Sequence, residues 1–434
     1  MEDLLLKDQI SKKDGNGVTV RNSFHRPAPR ISAVLYEPET DSGCSDIAIL
    51  VMHSDADYLS FSAGEELAAR GFTVLCANVS KPTGDFDTKI REVGMCVSYL
   101  KSIRSIKKLT LLGHSGGGTL MSAYQSIAEN GPKIYQKEGM LKKSPDDLAG
   151  LMPADGIMLL DSNWGNGAMR LFSSDPAVAD ENNSHKINPK YDLFNPENGF
   201  KKGGSTYSDK FIKTFFMGQH ERNCRINDYA ASRLAAIESG NGTFDDDEPL
   251  VIPGTEQGFF NNKLYAQDIR FMSHTRKPHY LLHKNGIITN EIIYSLRGPE
   301  NDESFTASYA EGALITTVKN YISSFAIRTT PDYGFNETDV YGIDWDSNYN
   351  CTTGNIRHVS APLLVMGMTG GWEFASAETI FDNGAGTDKT LCYVEGADHF
   401  FRPSHHLEKE PGQFGDTLAA TYDYVSSWLR QRFM

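Results

Sequence analysis

Between residues 31 and 162, short apolar runs alternate with helical patterns, and this alternation leaves few folds open to the chain. ISAVLYEP (31–38), DIAILVMHS (46–54), FTVLCANV (72–79), LTLLGHS (109–115) and GIMLLDS (156–162) are the length of strands, and their nearly unbroken apolarity suits strands covered on both faces. Helical signals fill the gaps. In SFSAGEELAARG, Ser62 and Glu65 have capping-box spacing, and Gly71 stands where a left-handed C-cap belongs. Asp87 is expected to cap a helix whose apolar stripe is Ile90, Val93, Val97 and Leu100, and GGTLMSAYQSIAEN supplies the next helix. Strands and helices alternating at this length require parallel pairing through right-handed crossovers, hence an open α/β sheet with helices on both faces. The same pattern returns in PLLVMGM (362–368), TLCYVEG (390–396) and a closing helix, DTLAATYDYVSSWLRQRF, striped by Leu418, Tyr422, Val425 and Leu429.

From about residue 165 to 355 the alternation stops, and a structureless loop of that length does not fit in a compact domain. The expected organisation is a core in two parts, 1–164 and 356–434, with an inserted subdomain at 165–355. Within the insert, SDKFIKTFFMGQHERNCRINDYAASRLAAIESGNG reads as one or two helices ending at Gly240, and HYLLHKNGIITNEIIYSLR reads as a hairpin turning at Asn285-Gly286. TASYAEGALITTVKNYISSFAIR reads as a further amphipathic helix.

Gly113-His114-Ser115-Gly116-Gly117 directly follows the strand LTLL and directly precedes a helix. A chain turning that sharply strains the backbone of the central serine, and side chains two positions to either side would collide, so glycines flank it. The turn lifts the Ser115 hydroxyl above the sheet edge, with the positive end of the next helix beneath it. In these residues the sequence resembles the α/β-hydrolase superfamily, over roughly 31–164 and 356–434. The resemblance implies a mostly parallel central sheet flanked by helices, a nucleophilic Ser115, and a large, mainly helical cap inserted after the sixth strand.

It also implies the partners of the serine. A histidine should follow the last core strand, and His399, in Val394-Glu395-Gly396-Ala397-Asp398-His399-Phe400, stands there. An imidazole with an ordinary pKa of about 6.5 can take the serine proton and return it to the leaving group. The carboxylate that fixes its tautomer should follow the penultimate strand, which selects Glu373; Asp161, at the end of GIMLLDS, is the alternative. The oxyanion hole is expected from the amide of Gly116 together with that of Asp55, or alternatively Ser54, in the His53-Ser54-Asp55 turn. His53, His114, Trp164 and Trp372 are expected beside the substrate. Phe172, Phe215, Phe216, Phe259, Phe260, Phe271 and Tyr280 could line a pocket beneath the cap, although each could equally serve the cap's own core.

Composition narrows the function. With 56 acidic against 42 basic residues, the formal net charge of -14 has the wrong sign for nucleic acid or an anionic membrane surface. No run of ~18 apolar residues predicts a membrane span, and MEDLLLKDQISKKDGNG does not read as a signal peptide. The six cysteines are scattered without metal-site or disulfide spacing, and Cys76, Cys96 and Cys392 lie in apolar stretches, so free thiols in the cytoplasm are expected. No metal-ligand cluster, phosphate-binding loop or dinucleotide fingerprint is present in the sequence, and no metal or cofactor is expected. The resulting expectation is a serine hydrolase cleaving a carboxylic ester or lactone of a bulky, largely apolar small molecule. The superfamily's C-C bond hydrolases, amidases, peptidases and acyltransferases, and a ligand-binding homologue without catalysis, stand as alternatives.

Overall fold

The computed structural model describes residues 12–13, 19–40, 43–255, 263–299 and 312–434. The N-terminal part of the core contains β1 (Lys12–Lys13), β2 (Thr19–Ala28), β3 (Ile31–Pro38), β4 (Ile47–Met52), α1 (Ser62–Ala69), β5 (Thr73–Ala77), α2 (Phe86–Ser102), β6 (Lys108–Ser115), α3 (Gly117–Asn130) and β7 (Gly156–Ser162). Residues 165–355 follow with α4 (Asn166–Ser173), α5 (Asp209–Glu238), β8 (Pro249–Pro253), α6 (Leu264–Gln267), β9 (His274–Leu282), β10 (Ile288–Tyr294), β11 (Ala313–Thr317), α7 (Val318–Ser324), β12 (Arg328–Phe335), β13 (Val340–Asp344) and α8 (Thr352–Asn355). The chain closes with β14 (Leu363–Met368), α9 (Phe374–Asn383), β15 (Lys389–Val394) and α10 (Thr417–Phe433).

One 11-stranded sheet runs in the order β1-β2-β3-β5-β4-β6-β7-β14-β15-β9-β10. From β5 across to β9 every neighbouring pair is parallel, and the antiparallel pairs lie towards the two edges. Side chains alternate along the strands into two apolar layers. Ala48, Leu50 and Met52 of β4 join α2, α3 and α9 on one face, while Ile49 and Val51 join α1 and α10 on the other. Fully burying each leucine or valine in these layers stabilises by roughly 1.5–3 kcal/mol. This doubly wound sheet is that of an α/β-hydrolase fold.

The segment expected as an inserted subdomain, 165–355, does not stay apart from the sheet. The hairpin at Asn285-Gly286 forms as expected, with Asn285 at φ 65°, but its first strand, β9, pairs in parallel with β15 and so extends the central sheet. The helix expected up to Gly240 is one continuous α5 of 30 residues. The further helix expected over 306–328 is only partly one: Ala313–Thr317 pairs with β8 as strand β11, and the helix α7 occupies Val318–Ser324. Its Leu314 packs with Leu250 and Ile252 of the paired strand, a partner that local periodicity does not reveal. Phe172, Phe215, Phe216 and Phe271 are buried in the aromatic core shared by the insert and the sheet, Tyr280 is exposed on β9, and Phe259 and Phe260 lie outside the described residues.

Two helix starts also differ from expectation. The first helix begins at Ser62, so its cap position falls on Phe61, which has no side-chain acceptor, and the Ser62 hydroxyl pairs instead with Tyr422 Oη at 2.9 Å. Asp85, not Asp87, caps α2, accepting from the Thr88 amide, while Asp87 lies within the helix, paired with Lys142 at 3.0 Å and accepting from Tyr349 Oη.

Candidate active site

Ser115 ends β6 at φ 53°, a left-handed backbone that residues with a side chain seldom adopt. Neighbouring glycines make that turn possible. A Cβ on Gly113 would stand 2.6 Å from Gly118 Cα, one on Gly117 would stand 2.5 Å from the Met52 carbonyl oxygen, and one on Gly118 would stand 1.6 Å from Ser162 Oγ. Gly118 lies just beyond the pentapeptide singled out in the sequence, and its need for space arises from β7. The Ser115 carbonyl accepts from the Asn163 amide at 3.4 Å and from Ser162 Oγ at 3.3 Å, which ties the elbow to the end of β7.

His399 lies in the loop after β15. Asp398 Oδ1 accepts from the Phe400 and Arg402 amides at 2.8 and 2.9 Å, folding that loop back on itself. The His399 ring meets two carboxylates: Nδ1 lies 2.7 Å from Asp161 Oδ2 and 3.4 Å from Glu373 Oε2. Asp161 is wholly buried at the end of β7, and its other oxygen accepts from the Met368 amide at 2.9 Å, so its orientation is set from both sides. Glu373 precedes α9, is nearly buried, and its Oε2 takes no hydrogen bond in this conformation. Because β7 and β14 are neighbours in the sheet, both carboxylates expected as alternatives converge on one imidazole.

Burial works against charge on His399, but Glu373 and Asp161 outweigh it and raise its pKa to about 9. Burial pushes the Asp161 carboxyl up, and the hydrogen bond from His399 counters part of that shift. Asp161, Glu373 and His399 offer three possible ligand atoms within 4.8 Å of one another. The 2.7 Å histidine–aspartate separation is nevertheless a hydrogen-bond length, shorter than the ~3.3 Å between two ligands around tetrahedral zinc.

At the expected oxyanion hole, Gly116 packs against the 53–54 turn: a Cβ there would stand 2.9 Å from Ser54 Oγ and 3.1 Å from His53 Nε2. The Asp55 amide points at His53 Nδ1, 3.2 Å away, as the Ala56 amide does at 3.0 Å. Both amides are thereby engaged within this turn. Of the expected substrate neighbours, His53 is nearly buried and stacks on Tyr58 at 4.7 Å, while Trp372 is half-buried, with the Arg297 guanidinium 5.3 Å from its ring. His114 and Trp164 are fully buried in this conformation; Trp164 packs edge-on against Phe172. A separate cleft of about 890 Å³ between α2 and α7 is lined by Lys81, Asp87, Lys89, Lys142 and Asn320, and none of the serine, histidine and carboxylate candidates borders it.

No protein-family model matches the chain, and no curated protein sequence does. Among solved structures, the chain is similar to the siderophore hydrolase EstB from Aspergillus fumigatus, with 12% identity over 95% of this chain and 98% of that one and a TM-score of 0.43. Brefeldin A esterase, a bacterial homologue of human hormone sensitive lipase, aligns at 12% identity over 95% and 77% of the two chains with a TM-score of 0.42. Est1E from Butyrivibrio proteoclasticus aligns at 9% identity over 96% of each chain with a TM-score of 0.39. These likenesses concern the path of the backbone alone. The chain's own sheet order, with a left-handed serine at the turn from β6 into α3, is that of an α/β-hydrolase fold.

Proposed function

We propose that the protein is a serine hydrolase that cleaves a carboxylic ester or lactone of a bulky, largely apolar small molecule. One observation carries this reading: Ser115 sits on a strained strand-to-helix turn in the same chain in which His399 Nδ1 bonds the buried Asp161 at 2.7 Å. With the Nδ1 proton directed to Asp161, Nε2 is left with the lone pair a general base needs. Ser115 Oγ attacks the acyl carbon while its proton passes to His399 Nε2. That proton then goes to the departing alkoxide, leaving an acyl-enzyme. Water, deprotonated by His399, attacks the acyl-enzyme and regenerates the serine. Asp161 holds the ring's orientation, and Glu373 adds a second negative charge beside the imidazolium that forms. The Gly116 amide stabilises the tetrahedral oxyanion, and the Ser54 amide is the second donor, since that of Asp55 is committed to His53.

Reaction with a fluorophosphonate, read by intact mass, tests this directly. Wild type should gain one adduct, and Ser115→Ala and His399→Ala should gain none. A folded wild type that stays unlabelled would remove the proposal in favour of a binding protein on the same fold.

A further inference from the structure

His114, the residue before the proposed nucleophile, has no exposed surface, yet both of its ring nitrogens are engaged. Tyr58 Oη lies 2.5 Å from Nδ1, and Nε2 lies 2.6 Å from the backbone carbonyl oxygen of His399. A carbonyl can only accept, so Nε2 carries the proton. In the neutral ring Nδ1 is then an acceptor, and Tyr58 is its donor. The chain Tyr58 Oη–H to His114 Nδ1, and His114 Nε2–H to His399 O, therefore has a single consistent direction.

Resting on the serine-hydrolase reading, we infer that Tyr58 and His114 are positioning residues that fix the backbone of His399, and hence its ring, relative to Ser115. The need for such a tether follows from the loop. His399 is held against its carboxylates by a segment whose next residue, Phe400, is exposed and whose Phe401 has a φ of 68°. His114 is covalently next to Ser115, so its bond to the His399 carbonyl couples the nucleophile's turn to the base's loop through one side chain. Packing supports the arrangement: the His114 ring lies 4.4 Å from that of His399, 4.9 Å from Phe61 and 5.1 Å from Phe401, measured between centroids.

A protonated His114 could not accept from Tyr58. Burial, reinforced by the nearby His399, holds the His114 pKa well below its ordinary value, and His53 acts in the same sense. The groups acting on the His399 ring are Glu373, Asp161 and Asp398, with His114 facing it from the elbow.

The test is the second-order rate of fluorophosphonate labelling across pH for wild type, Tyr58→Phe, His114→Phe and His114→Gln, with circular dichroism and melting recorded for each. Displacing a catalytic group by a fraction of an ångström slows chemistry by roughly 10- to 100-fold, and that loss is expected for Tyr58→Phe and His114→Phe. Their acid limb should also move to lower pH, as His399 loosens from Asp161 and Glu373. His114→Gln, whose amide N–H can reach the same carbonyl, should recover most of the rate. Wild-type rates and an unmoved acid limb in the two phenylalanine variants would overturn the inference alone, as would a glutamine variant as slow as the phenylalanine one. An unlabelled wild type would overturn the hydrolase reading and this inference with it.

Discussion

Replacing Asp161 by asparagine asks which of the two carboxylates orients His399. In the structure Asp161 Oδ1 accepts from the Met368 amide at 2.9 Å and Oδ2 meets His399 Nδ1 at 2.7 Å. An asparagine keeping the first bond must turn its NH2 towards Nδ1, where a donor would face a donor. The ring then moves its proton to Nε2 and can no longer accept from Ser115. That tautomer switch costs about 10⁴-fold in a triad with no second acid. Here a second acid is present. At an effective dielectric of about 20, charges at 2.7 Å and 3.4 Å from Nδ1 attract an imidazolium by about 6 and about 5 kcal/mol, a difference worth roughly tenfold in rate. We therefore expect Asp161→Asn to slow fluorophosphonate labelling by about 10²–10³-fold and Asp161→Ala by less, because alanine forces no tautomer and leaves Glu373 to take Nδ1–H. Glu373→Gln should cost no more than about tenfold above the acid limb, and the double variant should exceed the product of the single losses. If Asp161→Asn costs under about tenfold while Glu373→Gln costs over about 10²-fold, the shorter contact is not the orienting one and the assignment of roles reverses.

Four further outcomes are expected. Protonated His399 cannot accept the serine proton, so activity should rise as pH climbs through its raised pKa; the acid limb then lies above the ordinary value of ~6.5, and Glu373→Gln should shift it to lower pH in a rate profile. Gly118→Ala places a Cβ 1.6 Å from Ser162 Oγ and 2.6 Å from its Cβ, so it should destabilise by about 1–3 kcal/mol and slow labelling in denaturant and rate measurements. Gly131→Ala, with φ 76° but nothing within 4 Å, should cost only about 1 kcal/mol and leave the rate unchanged. Of the six cysteines Cys224 alone is not buried, so a thiol reagent should find about one reactive group in the native protein and all six after unfolding.

The strands, helices and elbow were legible in the sequence because each is written in local spacing. Alternate residues of β4 and β7 face opposite apolar layers, and glycines flank the one serine that must turn sharply. The expectation of His399 after the last core strand comes from the family resemblance rather than from local spacing, and in the structure it lies in the loop after β15. Long-range partners decided the rest. Asp161 and Glu373 lie 212 positions apart, and only the pairing of β7 with β14 brings both to one imidazole. Asp87 has the spacing of a helix cap but is drawn to Tyr349 and Lys142, and Ser62 is taken by Tyr422. Residues 313–317 have a helical period yet become a strand because β8 offers its edge, and β9 joins the sheet because β15 offers another. Each of these bonds forms between segments far apart in the chain, and the free energy of satisfying a buried polar group or a sheet edge outweighs the few tenths of a kcal/mol by which local propensity differs.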